Sequence, residues 1–327
     1  MGGLFGRERE VQVLDRVTVT EVGPRDGLQN FPAAVSTDDK VRMIELLTEA
    51  GFTSLEVTSF VRPDVVPQMA DAGEVMARME RRSDVDYRAL VPNVRGAQRA
   101  VEAGVDTLVA LLTVTEGYSR KNQNRSVEEL IAGAQGVLAY GREVGVAVDI
   151  AVGTAFFDPY EGDTPPERVE RVVEQLVAAG ASRMCVAASV GMANPAEVNR
   201  LCRRLLERWP DVEFGMHLHN TNGMGLANAV AAMDAGIRRF EGAICGIGGG
   251  IVMPHGMASA GNSASEDLVH LFSEMGVETG LDVDRVVAAA TKVADLLGIE
   301  PGSHAARGGR KVDVLRHALQ TPREHPV

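Results

Sequence analysis

Val19-Thr20-Glu21-Val22-Gly23-Pro24-Arg25-Asp26-Gly27-Leu28-Gln29-Asn30 begins as a β-type run and ends as a polar loop. Its second half decides between two folds. An open, doubly wound α/β sheet would place a glycine-rich phosphate loop after this first strand, and here the loop carries an arginine and an aspartate instead. Working outward, short β-branched runs alternate with longer amphipathic ones. Strands are expected over 17–22, 54–59, 87–92, 106–114, 147–155, 182–188, 213–219 and 239–245. Each is nearly continuously apolar until its C-terminal polar residues, as parallel strands buried on both faces are. Such strand–helix units without the phosphate loop read as an α/β fold, a closed (β/α)8 TIM barrel.

Helix starts and stops support that reading. Ser126-Val-Glu-Glu129 has the form of a capping box. Thr164-Pro165 and Asn194-Pro195 each place a capping side chain before a proline at the first helical position. Ala50-Gly51, Ala103-Gly104, Ala179-Gly180 and Ala235-Gly236 end helices with a glycine suited to a left-handed cap. Residues 262–300 hold the eighth helix and one more, so additional C-terminal helices are expected. The barrel domain is placed at 1–300, with a basic tail over 301–327 packing at or near it.

The length of 327 residues suits such a barrel, which needs about 250. A net charge of −12 and a pI near 5.1 exclude nucleic acid and anionic membrane as expected partners. Cys185, Cys202 and Cys245 show no paired spacing, which fits a reducing compartment. Met1 to Glu10 is short and charged, without the apolar core of a signal peptide. A soluble, cytoplasmic protein is expected.

In a barrel of this type, chemistry sits at the C-terminal ends of the strands and in the loops that follow. Arg25 and Asp26 follow the first strand, and His217-Leu218-His219 closes the seventh. Side chains two apart on a strand share a face, so both imidazoles would project into the barrel mouth. Two imidazoles and a carboxylate can hold a divalent ion. Alone, His-x-His marks a hydrogen-bonded barrel pair as readily as a metal site; Arg25-Asp26 at another strand end shifts the reading toward metal. Glu56, on an apolar strand, needs a partner, and Arg25 is available. Asn93, Lys121 and Asn122 sit at or after strands three and four.

These motifs carry a resemblance. Glu21 to Asn30 is similar to the opening signature of the 3-hydroxy-3-methylglutaryl-CoA lyases. So are Leu55 to Val61 with Val66 to Asp71, Val91-Pro-Asn-Val-Arg-Gly96, Lys121-Asn-Gln-Asn124, Asp158-Pro-Tyr-Glu-Gly162, His217 to Gly223, Gly261-Asn262 and Glu266-Asp267-Leu268. The match runs in order from about residue 15 to 300, and extends more loosely to barrels that condense acetyl-CoA with 2-oxo acids. The resemblance implies one divalent cation held by Asp26, His217, His219 and Asn262, with Mg²⁺ or Mn²⁺ first and Co²⁺ or Zn²⁺ as alternatives. It further implies that Arg25 polarises the substrate carbonyl, that Glu56 holds this arginine, and that Gln29, Asn93, Lys121 and Asn122 contact a hydroxy-acid or acyl-CoA substrate. Barrels of this kind form homodimers, and one is expected here.

Two positions depart from the lyases. Their Gly-Gly-Cys loop after strand eight is replaced by Gly246-Ile-Gly-Gly-Gly-Ile-Val-Met-Pro-His-Gly256, with Gly250 at the cysteine position. Their Gly-Asp-Thr turn after strand six is Ala187-Ala188-Ser189. His255, in the altered loop, titrates near pH ~6.5 when unperturbed and is a candidate acid/base; it reads equally as an exposed loop histidine. Cys245 reads as core packing. The cluster Arg307-Gly-Gly-Arg-Lys311 reads as a solvated terminal segment, with contact to a coenzyme phosphate as the alternative. The expected function is a metal-dependent carbon–carbon lyase or aldolase acting on a hydroxy-dicarboxylate or its CoA thioester, other than hydroxymethylglutaryl-CoA itself. The alternatives are a Claisen-type condensing enzyme and a non-catalytic metal-binding barrel.

Overall fold

A computed structural model of the chain describes residues 14–248 and 261–320. Eight parallel strands close into a barrel: β1 (Thr18–Glu21), β2 (Ser54–Ser59), β3 (Asp86–Val91), β4 (Thr107–Thr113), β5 (Ala147–Gly153), β6 (Arg183–Ala188), β7 (Glu213–Leu218) and β8 (Arg239–Gly242). Neighbours in space are neighbours in sequence, and β1 closes on β8 in the register Thr18↔Arg239 to Glu21↔Gly242. This is the expected (β/α)8 architecture, and the strand bounds differ from the expected ones by a few residues at their ends.

The helices are α1 (Thr37–Ala50), α2 (Ala72–Arg78), α3 (Val94–Glu102), α4 (Glu116–Gln123), α5 (Val127–Val144), α6 (Pro166–Ala178), α7 (Pro195–Arg208), α8 (Gly225–Ala235), α9 (Ser265–Glu274), α10 (Val283–Leu297), α11 (His304–Gly308) and α12 (Lys311–Gln320). Ser126 and Asn194 both form full capping boxes, with Glu129 and Glu197 reaching back. Gly51 and Gly236 cap α1 and α8 at φ 106° and 112°, a conformation that costs an L side chain about 1 kcal/mol or more. Thr164 does not cap α6. Pro165 takes the cap position, and the Thr164 hydroxyl donates to the Thr154 carbonyl at 2.8 Å instead.

The barrel interior is less apolar than the strand pattern suggests. Arg88, Asp149 and Arg239 meet there, with Arg88 Nη2–Asp149 Oδ2 at 2.5 Å and Arg239 Nη1–Asp149 Oδ2 at 2.7 Å. Arg88 is also 3.9 Å from Glu241. Burial of such charges is tolerable only when each is paired, and here one carboxylate is shared by two guanidinium groups.

The tail is not a free basic arm. Arg310 is buried against Asp284 and Asp313, and Lys311 pairs with Glu274. Asp284 opens α10, beside the segment Thr279–Leu281 that lies with Arg16 and Thr18 at the N-terminal ends of the strands. These two cations therefore serve the face opposite the mouth. Among the described residues, no helix is long and apolar enough to cross a membrane.

Candidate active site at the barrel mouth

After β1 the chain winds into one wide turn, Gly23–Gly27, in which the Val22 carbonyl accepts from the N–H groups of Arg25, Asp26 and Gly27 at 3.1, 2.7 and 3.2 Å. Such π-type turns are uncommon and concentrate at functional sites. Buried Glu21 holds the turn. Its Oε1 accepts from Gly23 N (2.7 Å) and from Ile244 N (2.9 Å), and its Oε2 accepts from Ser265 Oγ (2.5 Å). Burial drives this carboxyl up to about 8, with those hydrogen bonds opposing the shift. Gly27 is required by close approach: a Cβ there would stand 2.6 Å from Ile247.

The turn aims Arg25 and Asp26 inward. Arg25 Nε donates to Glu56 Oε1 at 2.6 Å, and its Nη1 donates to Asp26 Oδ1 at 2.6 Å and to Gln29 Oε1 at 3.4 Å. Burial alone would raise the Asp26 carboxyl, but the Arg25 guanidinium, followed by the two histidines, holds it well below the ordinary range. It is an anion. Glu56 moves the other way: burial raises it and Arg25 pulls against the rise.

Asp26, His217 and His219 each offer a ligand atom, all within 4.8 Å of one another. His217 Nε2 lies 3.9 Å from Asp26 Oδ2, while its Nδ1 is 3.0 Å from Glu241 Oε2. An ionised Glu241 fixes the proton on Nδ1 and turns the Nε2 lone pair toward Asp26, the arrangement by which a carboxylate orients a metal-binding histidine. Burial, and then the neighbouring His217, lower His219 to about 4, so it is neutral at pH 7. Its Nδ1 is buried without a hydrogen-bond partner. Asn262 pairs with His219 across an isolated bridge and donates from Nδ2 to Asp26 Oδ2 (2.7 Å) and to the Ile247 carbonyl (3.0 Å). Its Oδ1 is buried and unpartnered. The amide nitrogen, rather than the expected oxygen donor, thus faces Asp26; half a turn of the amide would exchange them. One carboxylate, two imidazoles and an orphaned amide oxygen form a donor set that fits a divalent cation.

Gln29 and Asn122 line the cavity above these groups, together with Tyr118, Ala187 and Ser189. Asn93 and Lys121 are not among the residues that line this cavity. Asn93 is the N-cap of α3, accepting from Gly96 N at 3.0 Å, because an asparagine directly before a helix satisfies an otherwise unpaired N–H. Lys121 stacks its ammonium over the Tyr160 ring, 4.5 Å from the centroid. His255 and Gly250 lie outside the described residues. Cys245 is buried, donates to the Ala290 carbonyl at 3.1 Å, and burial drives its thiol up. Sequence reasoning missed Glu241 and Tyr118. Glu241 had a signal, an acid two residues after Arg239 on a strand expected to be buried on both faces; Tyr118 had none, because an aromatic in a helix reads as core.

Comparison with known proteins agrees with this geometry. The chain is 41% identical over 297 residues to the (R)-citramalyl-CoA lyase of Chloroflexus aurantiacus, which covers 87% of this chain and 92% of that protein. It is 36% identical over 283 residues to a hydroxymethylglutaryl-CoA lyase of Bacillus subtilis, covering 86% and 94% respectively. A solved HMG-CoA lyase from Acinetobacter baumannii, in complex with coenzyme A and 3-methylmalate, superimposes with a TM-score of 0.86 at 33% identity, over 96% of this chain and 98% of that one. The model of the HMGL-like family matches residues 16–293. The chain belongs to the HMGL-like family.

Proposed function

We propose that this protein is a divalent-metal-dependent carbon–carbon lyase that cleaves the CoA thioester of a hydroxy-dicarboxylate. The observation that carries the reading is the convergence of Asp26, His217 and His219 within 4.8 Å at the mouth, with Arg25 hydrogen-bonded to Asp26 beside them. A cation held by these residues and by the Asn262 oxygen would supply Lewis-acid polarisation of the substrate's oxygens. Mg²⁺ or Mn²⁺ is the ion we expect first, with Co²⁺ or Zn²⁺ also suiting two imidazoles.

The chain's own residues account for much of the rest. Glu56, Asp26 and Gln29 hold the Arg25 guanidinium rigidly, so its charge is available without reorganisation where an enolate develops. Cleavage takes a proton from the substrate hydroxyl, breaks the adjacent C–C bond and returns a proton to the acyl-CoA enolate carbon, which requires an acid/base group. His255 is our candidate for that group, since the cysteine position is Gly250. Ala187 and Ser189 form the wall where the lyases carry their Gly-Asp-Thr turn, and the Ser189 hydroxyl is occupied in accepting from Thr154 N at 2.9 Å. With both proton-handling positions changed, we expect the preferred substrate to differ from hydroxymethylglutaryl-CoA, and a citramalyl-type thioester is favoured by the 41% identical relative.

The test is release of the carbonyl product from a panel of hydroxyacyl-CoA thioesters, after chelation and after adding back Mg²⁺ or Mn²⁺. Activity that needs the metal and disappears in Asp26→Ala and His217→Ala is expected. Undiminished turnover in those variants would overturn the site. Thiol release from acetyl-CoA with 2-oxo acids, without cleavage of any thioester, would favour the condensing reading.

A further inference from the structure

Arg88 stands on β3 in a run expected to be apolar, yet it is the largest fully buried side chain among the described residues. Burying a guanidinium so deeply is offset only by close anionic partners. Its Nη2 donates to Asp149 Oδ2 at 2.5 Å, and its Nη1 donates to Thr20 Oγ1 at 3.4 Å and lies 3.9 Å from Glu241 Oε1. Asp149 has another cation without it, because Arg239 Nη1 stands 2.7 Å from the same oxygen. Glu241 has no other: among the described residues, Arg88 is the one guanidinium ion-paired with it.

Glu241 divides its two oxygens. Oε1 faces Arg88, and Oε2 is 3.0 Å from His217 Nδ1. Strands β7 and β8 set Glu241 beside His217 in register, but the terminal torsion of a glutamate is broad, so register alone does not aim the carboxylate. Arg88, anchored by Asp149 and Thr20, is the fixed point against which it is aligned. Charge points the same way. The carboxylates of Asp26, Glu56, Asp149 and Glu241 face the guanidinium groups of Arg25, Arg88 and Arg239. Arg25 is taken by Asp26 and Glu56 at 2.6 Å each, and Arg239 by Asp149 and Glu213. Taking Arg88 away would leave Glu241 among buried acids with an imidazole as its only ion-pairing partner, and like charges at short range in an interior repel strongly.

We infer that Arg88 is a positioning residue for the metal centre: it holds the Glu241 carboxylate in the orientation that turns His217 Nε2 toward the ion. Arg88 does not line the reaction cavity, so it acts through Glu241 and not on the substrate. The inference rests on the metal reading of Asp26, His217 and His219, and is independent of which thioester is cleaved.

Two measurements on the full-length protein test it. Competition with a chromophoric chelator gives the Mn²⁺ affinity, and ring-nitrogen NMR shifts give the His217 tautomer in the metal-free protein. Arg88→Gln should weaken Mn²⁺ binding by about tenfold, the lower end of the loss on removing the outer partner of a metal-binding histidine, and should release His217 into a mixture of tautomers. Arg88→Lys keeps the charge and should recover most of the affinity. In a Glu241→Gln background, Arg88→Gln should cost nothing further, so the double-mutant cycle gives a coupling of about tenfold. A second tenfold loss in that background would show Arg88 acting on the fold at large and would overturn the inference. Wild-type affinity and tautomer in a folded Arg88→Gln protein would overturn it too. Should that variant not fold, Arg88→Gln combined with Asp149→Asn removes both charges of the pair and is read in the same way. The tautomer is measured without metal, which separates this inference from the one beneath it. A wild type that binds no Mn²⁺, with His217 released in Arg88→Gln, would sustain the positioning role and sink the metal reading; Mn²⁺ bound at wild-type strength by Arg88→Gln would do the reverse.

Discussion

Replacing Glu241 by glutamine should weaken divalent-metal binding without unfolding the protein. Glu241 Oε2 lies 3.0 Å from His217 Nδ1, and this contact decides which imidazole nitrogen faces Asp26. Glutamine preserves the volume and keeps an oxygen acceptor, so the ring stays oriented, but the charge that raises the basicity of Nε2 is lost. Removing the outer partner of a metal-binding histidine lowers affinity about 10- to 100-fold, or roughly 1.4–2.7 kcal/mol. The stability cost is smaller, because Arg88, 3.9 Å from Glu241, retains its 2.5 Å pair with Asp149. Competition titration of Mn²⁺ against a chromophoric chelator measures the Kd, and thermal melting of the metal-free protein measures stability. A variant that binds metal as tightly as wild type, with an unchanged melt, would refute the role of Glu241 and the assignment of His217 Nε2 as a ligand atom.

Three further outcomes are expected. Glu21 titrates near 8 in the folded chain against 4.5 as a free side chain, so the folded state keeps a proton that the unfolded state has lost; stability from this group is full below about pH 4.5 and declines as pH rises toward 8. Glu21→Gln mimics the protonated form and should flatten that decline in denaturant melts at pH 5 and 8, and an unchanged slope would count against it. Asp149→Asn leaves Arg88 and Arg239 buried without their shared carboxylate and should cost about 3–5 kcal/mol in urea unfolding; a loss under about 1 kcal/mol would show that water reaches the barrel centre. His255→Ala should lower kcat by about 10²-fold or more with metal affinity retained, and a wild-type rate would end its candidacy.

What could be read from the sequence was local. Strand ends, the capping boxes at Ser126 and Asn194 and the helix-ending glycines depend on residues a few positions apart, so their signatures survive in one dimension. Asp26, His217 and His219 were legible because strand ends in a barrel share one rim. The interior charges were not, since Arg88 and Asp149 meet across 61 positions and Arg239 and Asp149 across 90. The capping role of Asn93 was hidden for a related reason: an asparagine at a strand end is also one residue before a helix, and its side chain accepts from Gly96 N.

The hoop of strands is fastened where its first and last members meet, and the candidate metal centre straddles that seam. Asp26 follows β1, the histidines end β7, and Asn262 lies beyond β8, so donors 236 positions apart touch only once the ring has shut. An ion seated there would act as a clasp, favouring the closed ring by the same free energy with which the ring holds the ion. A chain cut short of Asn262 would lose both the fastening and the grip.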